Sequence, residues 1–399
     1  MNLKLTSRSP TIGNTLEAYI ANAEEATPPS LIPPEAPLGG LLTIDGDKVN
    51  EGAFNGAVWP GISSPSASSS AATTGTPTTT APPDGSNTIP PPGPDAPAYY
   101  TERAGGGKPV HWGWAANLSE DATAYLQLHA RIEGVILHLL DDVHAKLDTD
   151  GPWAGTYPQA IVDTIGAWLA QSLVHRATTA ECLEHYERPV LADCTYKLPT
   201  GSVDEFLAAF AKLNAMQIGV MVYLAGELAE YDPFMVPVMM SQVGAKSRAA
   251  AVVNMMQNHM AASAPREVSL PAALAWSFVT AGFLESCPDF LDGQTDKAKP
   301  WPLLTVSNKI EEGGRTVSVD VEYTVGDMSA VGDTHFVVWL GQYGSLEFVE
   351  IEKDTKTVLV PAGLYGDVWV AVVNSEGLDL QELAPHLVAG PEMIWVNEP

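Results

Sequence analysis

Two residues of this 399-residue chain are best placed to do chemistry: Glu133 and His175, each near the middle of a long helical stretch. A carboxylate and an imidazole facing each other across a helical core are part of a carboxylate-bridged di-metal centre. Two hard cations close together need about four carboxylates to neutralise them, and two imidazoles complete their shells. In such centres two helices supply one Glu each, and the other two supply a Glu-x-x-His pair. Here the remaining ligands are missing. Ser172, not an acid, stands three residues before His175. Neither Phe206 to Gly226 nor Phe234 to Asn258 contains an Asp, Glu or His. The second of these reads GAKSRAAAVVN at its middle, with Lys246 and Ala249 where an acid and a histidine would be wanted. One carboxylate and one histidine cannot hold two metals, so no metal and no cofactor is expected. Glu133 and His175 read instead as polar core residues, hydrogen-bonded to each other or to Ser172.

Other patterns carry less. The nine histidines, His129 and His138 near Glu133 included, never take the four-residue spacing of a helical zinc pair. No Gly-x-Ser-x-Gly elbow occurs. Gly105-Gly106-Gly107-Lys108 lacks the spacing and the following Ser or Thr of a phosphate-binding loop. Asp141-Asp142, and Asp148 with Asp150, read as a solvated acidic face, with weak Ca²⁺ binding as the other reading. Tyr99, Tyr100, Trp112, Trp114 and Trp153 flank the first long helix and read as packing anchors or as a carbohydrate-stacking surface. Asn117-Leu118-Ser119 is a glycosylation sequon. Three cysteines allow at most one internal bridge. Of these, Cys182 lies mid-helix and reads as a buried thiol.

The elements that must position these residues follow from apolar periodicity. Four long helices are expected at about Glu120–Lys146, Gln159–Tyr186, Ser202–Leu228 and Pro237–Met260, with a shorter one at Pro271–Leu284. Ser119 is a candidate N-cap, and Ser202 with Glu205 a capping box. The stretch FLAAFAKLNAMQIGVMVYLAG carries one charge in 21 residues, so its helix is central or at a subunit interface. After about Pro300 the period becomes two. Strands are expected at Leu303–Val306, Thr316–Tyr323, His335–Leu340, Leu346–Ile351, Thr357–Val360, Asp367–Val373 and Met393–Val396. Glu312-Gly313-Gly314, Gly326-Asp327, Tyr343-Gly344, Lys353-Asp354 and Gly363 supply the turn signals. The first hundred residues hold 16 of the 32 prolines, and 12 of the 20 residues from Ile62 to Ala81 are Ser or Thr. That arm reads as a linker or an O-glycosylated stalk, with short ordered islands at Asn14–Ala26 and Leu41–Val49.

Lys and Arg total 20 against 48 Asp and Glu, a net charge of −28. Nucleic acid and anionic membranes both need a basic face, so neither is expected as a partner. No run of 18 apolar residues occurs, and no membrane span or signal peptide is expected.

Several segments carry a family resemblance: Cys194-Thr195-Tyr196, Gly219-Val220 with Tyr223, Arg248-Ala249-Ala250-Ala251, Ser286-Cys287-Pro288 and the closing VAGPEMIWV. Together they resemble the fungal stress-response ferritin-like proteins, relatives of the plant desiccation-related proteins. The likeness covers residues 120–399, roughly 70% of the chain. It implies a di-metal centre whose second-helix acid falls at Ser172, with the histidine kept as His175. The third-helix acid falls near Met216, and the fourth-helix acid and histidine fall at Lys246 and Ala249. With Glu133, these six are vestigial positions. Lys246 then has two readings: a solvent-facing lysine, or a buried ammonium that replaces the metal's charge and pairs with Glu133. The resemblance also implies that Cys194 and Cys287 are bridged. That would close a loop of about 90 residues, contribute on the order of 4 kcal/mol, and argue for an oxidising compartment.

The expected architecture is α+β and multidomain. A Pro/Ser/Thr-rich arm (1–110) precedes a ferritin-like four-helix bundle (111–295) and an immunoglobulin-like β-sandwich (296–399). The expected function is non-catalytic: a stress-associated structural or self-assembling protein, a homo-oligomer. The alternatives are a ferritin-like oxidase with a single metal at Glu133 and His175, and a glycan- or ligand-binding module. The family and the bridge suggest an extracellular or cell-surface location, and the missing signal peptide leaves the cytoplasm open.

Overall fold

The computed structural model describes residues 89–90, 93–105, 115–262, 264–288, 300–310, 317–323, 334–351 and 357–396. All belong to one of the chain's two compact units, Ala71–Pro399. The arm's islands, its Ser/Thr-rich stretch, Gly106 to Lys108, Trp112, Trp114 and the turns at Glu312, Gly326 and Lys353 lie outside the described residues.

Seven helices and two antiparallel sheets of three and four strands make up the described part, an α+β arrangement. A short α1 (Ala98–Arg103) leads into α2 (Glu120–Leu147) and α3 (Gln159–His185). Then come α4 (Val203–Tyr231), α5 (Val236–Met256) and α6 (Ala272–Gly282), with a final turn α7 (Leu383–His386) among the strands. The helix starts follow from local chemistry. Ser119 Oγ accepts from Ala122 N at 3.0 Å, and Glu120 and Asp121 complement the dipole of the first turn. Ser202 Oγ accepts from Glu205 N at 3.2 Å. The returning half of the expected capping box differs: the Glu205 carboxylate accepts from Gly201 N, one residue earlier than the cap. α5 stops short of Met260 because Asn258 turns left-handed (φ 61°) and His259 N donates back to Asn254 O at 2.7 Å.

The long helices pack chiefly as two pairs, α2 with α3 and α4 with α5, joined by α2 against α4. Their inward stripes keep three- and four-residue spacing. On α5 the buried residues are Met239, Gln242, Lys246, Ala249, Val253 and Asn254. α4 is long and apolar enough to cross a membrane by length and composition, yet 67% of its apolar window is buried inside the protein. Gly219 on α4 lets an extended segment lie directly on the helix. A Cβ there would sit 2.9 Å from Leu270 Cβ, and Leu270 N donates to Gly219 O.

β1 (Thr195–Tyr196) and β2 (Leu284–Ser286) form a short antiparallel pair beside the helices. The three-stranded sheet has the order β3-β4-β7, from Leu304–Ile310, Val317–Tyr323 and Thr357–Leu359. The four-stranded sheet has the order β6-β5-β8-β9, from Leu346–Glu350, Phe336–Leu340, Gly366–Val373 and Leu387–Val396. Its central strands are buried on both faces, which explains their unbroken apolar runs FVVWL and VWVAVV. Val337, Trp339, Val368, Val370 and Val372 pack toward Leu304 and Val358 of the other sheet. Val338, Leu340, Trp369, Ala371 and Val373 join the core of the helices, where Phe278 meets Trp369 edge-on at 5.2 Å.

Candidate functional site

The inward stripes of four helices bring one polar cluster to the centre of the helical core. α2 gives His129 and Glu133, one turn apart, α3 gives His175 and Thr179, α4 gives Gln217, and α5 gives Lys246. Glu133 is completely buried. Its Oε1 accepts from Gln217 Nε2 at 2.8 Å, Lys246 Nζ at 3.0 Å and His175 Nδ1 at 3.2 Å. His129 Nε2 lies 3.9 Å from the same oxygen. A second relay runs alongside: Gln217 Nε2 is 3.2 Å from His129 Nε2, and His129 Nδ1 is 3.0 Å from Thr179 Oγ1. Thr179 Oγ1 in turn donates to His175 O at 3.1 Å. Asn214 fixes the backbone of α5 by donating to Lys246 O at 2.9 Å.

The electrostatics follow from this arrangement. Burial alone would raise the Glu133 pKa, but the Lys246 charge and the His175 hydrogen bond outweigh it and hold the carboxyl well below its usual range. Burial pushes His129 down to about 4, against the opposing pull of Glu133. Glu133 is therefore an anion, and His129 is neutral at pH 7.

A cleft between α3, α4 and α5 opens onto Lys246 and His175, with Trp168 stacked on Phe210 at 5.2 Å on its wall. Ser172 and Ala249 also line it, and Met216 is fully buried on α4. The structure thus pairs Lys246 with Glu133 and Glu133 with His175. It does not recruit Ser172 into those hydrogen bonds. Gln217, Thr179 and Asn214 complete the cluster without having stood out in the sequence. Their signal was present: each is a polar residue at a core-stripe position of an otherwise apolar helix.

The residues do not fit a di-metal centre. Glu133 Oε2 and Gln217 Oε1 are buried acceptors without a hydrogen-bond partner, which a cation could use. But one carboxylate cannot neutralise two divalent ions, and an ammonium 3.0 Å from Oε1 repels even one. Among the described residues, no three His, Cys, Asp or Glu side chains are grouped to hold a metal ion.

Cys194 and Cys287 are bridged, the pairing the resemblance implied, and Cys182 is a buried thiol whose pKa burial pushes up to about 12. Asn117 is exposed, while Ser119 of its sequon caps α2 and donates from Oγ to Asp232 Oδ2 at 2.5 Å. Tyr100 is in the core, Tyr99 accepts from Arg103, and Trp153 lies under Lys146 at 5.2 Å, so all three act as packing anchors. The acidic face is partly engaged. Asp142 takes Lys146 at 2.7 Å, and burial raises half-buried Asp141 to about 6, while Asp148 and Asp150 are exposed.

Fold and cluster together define an α+β protein whose helical core is centred on an ion pair. No protein-family model matches the sequence, and no curated protein matches it.

Proposed function

We propose that this chain is a non-catalytic, stress-associated structural or self-assembling protein. In this reading it is a ferritin-like bundle that has exchanged its di-metal centre for an internal ion pair, followed by an immunoglobulin-like sandwich. The observation that carries the reading is Lys246 Nζ at 3.0 Å from Glu133 Oε1. A fixed positive charge stands where a carboxylate-bound cation would be needed, and it requires no loading. Ser172, Met216 and Ala249 leave the other ligand positions without donors that bind hard cations. The Cys194–Cys287 bridge favours an oxidising, extracellular setting. Self-association is supported by large apolar side chains left exposed: Tyr231, Met240, Met255 and Met260 along and around α5.

Two measurements on the purified full chain test the reading. Elemental analysis should find iron and manganese far below one per chain, and native mass spectrometry or electron microscopy should find a defined oligomer. Stoichiometric iron or manganese that is lost in His175→Ala would replace this reading with a single-metal oxidase. A monodisperse monomer would remove the assembly half of it.

A further inference from the structure

We propose that the Cys194–Cys287 disulfide is a thiol-exchange site. A low-molecular-weight thiol is captured on Cys287, while Cys194 departs as a thiolate held by the Arg131 guanidinium. The inference starts from a contact that stability alone does not require. Arg131, 3% exposed on α2, places Nη1 3.0 Å from Cys194 Sγ, and the same nitrogen donates to Ala192 O. A buried cation hydrogen-bonded to one sulfur of a bridge favours that sulfur as the departing anion.

The local fold explains how the contact arises. Gly134 stands three residues after Arg131, and a Cβ there would lie 2.5 Å from Tyr196 Oη. The bare glycine lets the Asp193–Tyr196 segment rest directly on α2, which brings Cys194 to the guanidinium. Asp193, beside Cys194 in the chain, is bound by other groups. Arg176 Nη1 binds both of its oxygens at 3.0 Å, His138 Nε2 lies 3.6 Å away, and Tyr196 Oη donates to it. Among the described residues, the charged and titratable groups in this cluster include Arg131, Arg176, Asp193, His138 and Tyr196.

The two sulfurs also differ in access. Cys194 is 7% exposed, whereas Cys287 is half-buried between exposed Ser286 and Pro288. An entering thiolate therefore attacks Cys287 Sγ from solvent. The new S–S bond forms there as the Cys194–Cys287 bond breaks, and the electron pair leaves on Cys194 Sγ beside Arg131. No net redox change occurs. A second equivalent of thiol then attacks its own sulfur in the adduct, releasing the external disulfide and the Cys287 thiolate. The bridge is thereby reduced by two electrons, which the two thiols supply. Hydrogen bonds independent of the disulfide also join the two segments: Thr195 Oγ1 to Ser286 Oγ at 2.8 Å and Lys197 N to Phe283 O at 2.8 Å.

The test uses the full chain, reduced glutathione as the probe, acid quenching and peptide mapping by mass spectrometry. The adduct should sit on Cys287. Its rate of formation should fall by about threefold to tenfold in Arg131→Met and be largely kept in Arg131→Lys, since a lower leaving-thiol pKa speeds exchange. An adduct on Cys194, equal adducts on both sulfurs, or an unchanged rate in Arg131→Met would overturn the proposal. Should Arg131→Met not fold, Cys287→Ser supplies a second readout. The pH dependence of alkylation of its single freed thiol at Cys194 should give a pKa below the ordinary value of about 8.5. A value at or above that would also overturn it.

Discussion

Two carboxylates in different regions, buried Glu133 and half-buried Asp367, titrate in opposite directions. Glu133, at the centre of the helical core, is held well below its usual range. Asp367, on β8 opposite Trp395 of β9, is pushed up to about 7, first by burial and then by the nearby Glu267. Burial acts on both in the same sense, so the neighbours decide. Glu133 meets an ammonium, an imidazole and an amide on one oxygen. Asp367 meets another carboxylate, itself tied to Ser247 Oγ at 2.8 Å. The helical core is built around an anion and compensates it. The start of β8, an inner strand of the four-stranded sheet, holds a carboxyl that stays protonated up to nearly neutral pH. Without a cation beside it, an acid in this protein looks like Asp367.

The largest effect should come from breaking the compensated side. Lys246→Met leaves Glu133 buried without its cation and should cost about 3–5 kcal/mol, read by urea denaturation at pH 7. Adding Glu133→Gln removes the stranded charge, and the double variant should recover most of that loss. If Lys246→Met alone were nearly neutral, the ion pair would be incidental and the two carboxylates would not differ as argued.

A second test follows the pH dependence of the same cluster. His129 is held neutral with its pKa near 4, while an unfolded histidine titrates near 6.5. Because the folded value is the lower one, its contribution is complete above about pH 6.5 and is lost as the pH falls toward 4. The wild-type loss should be about 2 kcal/mol between pH 7 and pH 5, rising toward about 3 kcal/mol near pH 4, and should shrink markedly in His129→Gln, measured as stability at those pH values. An equal loss in both proteins would place the acid sensitivity outside this cluster.

Much of the fold was legible because periodicity depends on local sequence. The four long helices and the seven strands from Leu304 onward lie within a few residues of their expected bounds, except β9, which begins at Leu387 and not at Met393. The missing part of β9 contains Gly390 and Pro391, residue types uncommon inside strands. The structure seats Gly390 through hydrogen bonds from its N to Pro302 O and from Ser277 Oγ to its own O. α1 and the β1–β2 pair were not anticipated, since six-, two- and three-residue elements carry too little period to read. At the site, Glu133, His175 and Lys246 stood out because charge in an apolar helix is conspicuous. Gln217, Thr179 and Asn214 did not, because a neutral polar residue reveals its role only once four helices converge on it. The Arg131–Cys194 contact was likewise invisible: it depends on a glycine three residues along α2 admitting a distant loop.

The smallest expected effect lies on the uncompensated side, and its sign is opposite. Asp367 has its pKa raised in the fold to about 7, against about 3.9 for an unfolded Asp. Folding therefore favours its protonated form. Stability is least affected below about pH 3.9 and declines as the pH rises through 7, where the folded carboxyl must finally ionise. Asp367→Asn keeps the shape and removes the charge, so it should be close to neutral at pH 4 and stabilising at pH 8. The gain should be about 1–2 kcal/mol once solvent screening at a half-buried position is counted. Glu267→Gln should reproduce only part of it, because burial is the larger cause. Thermal unfolding at the two pH values measures both. A destabilising Asp367→Asn at pH 8 would mean that this carboxylate has a stabilising partner, and the contrast with Glu133 would collapse.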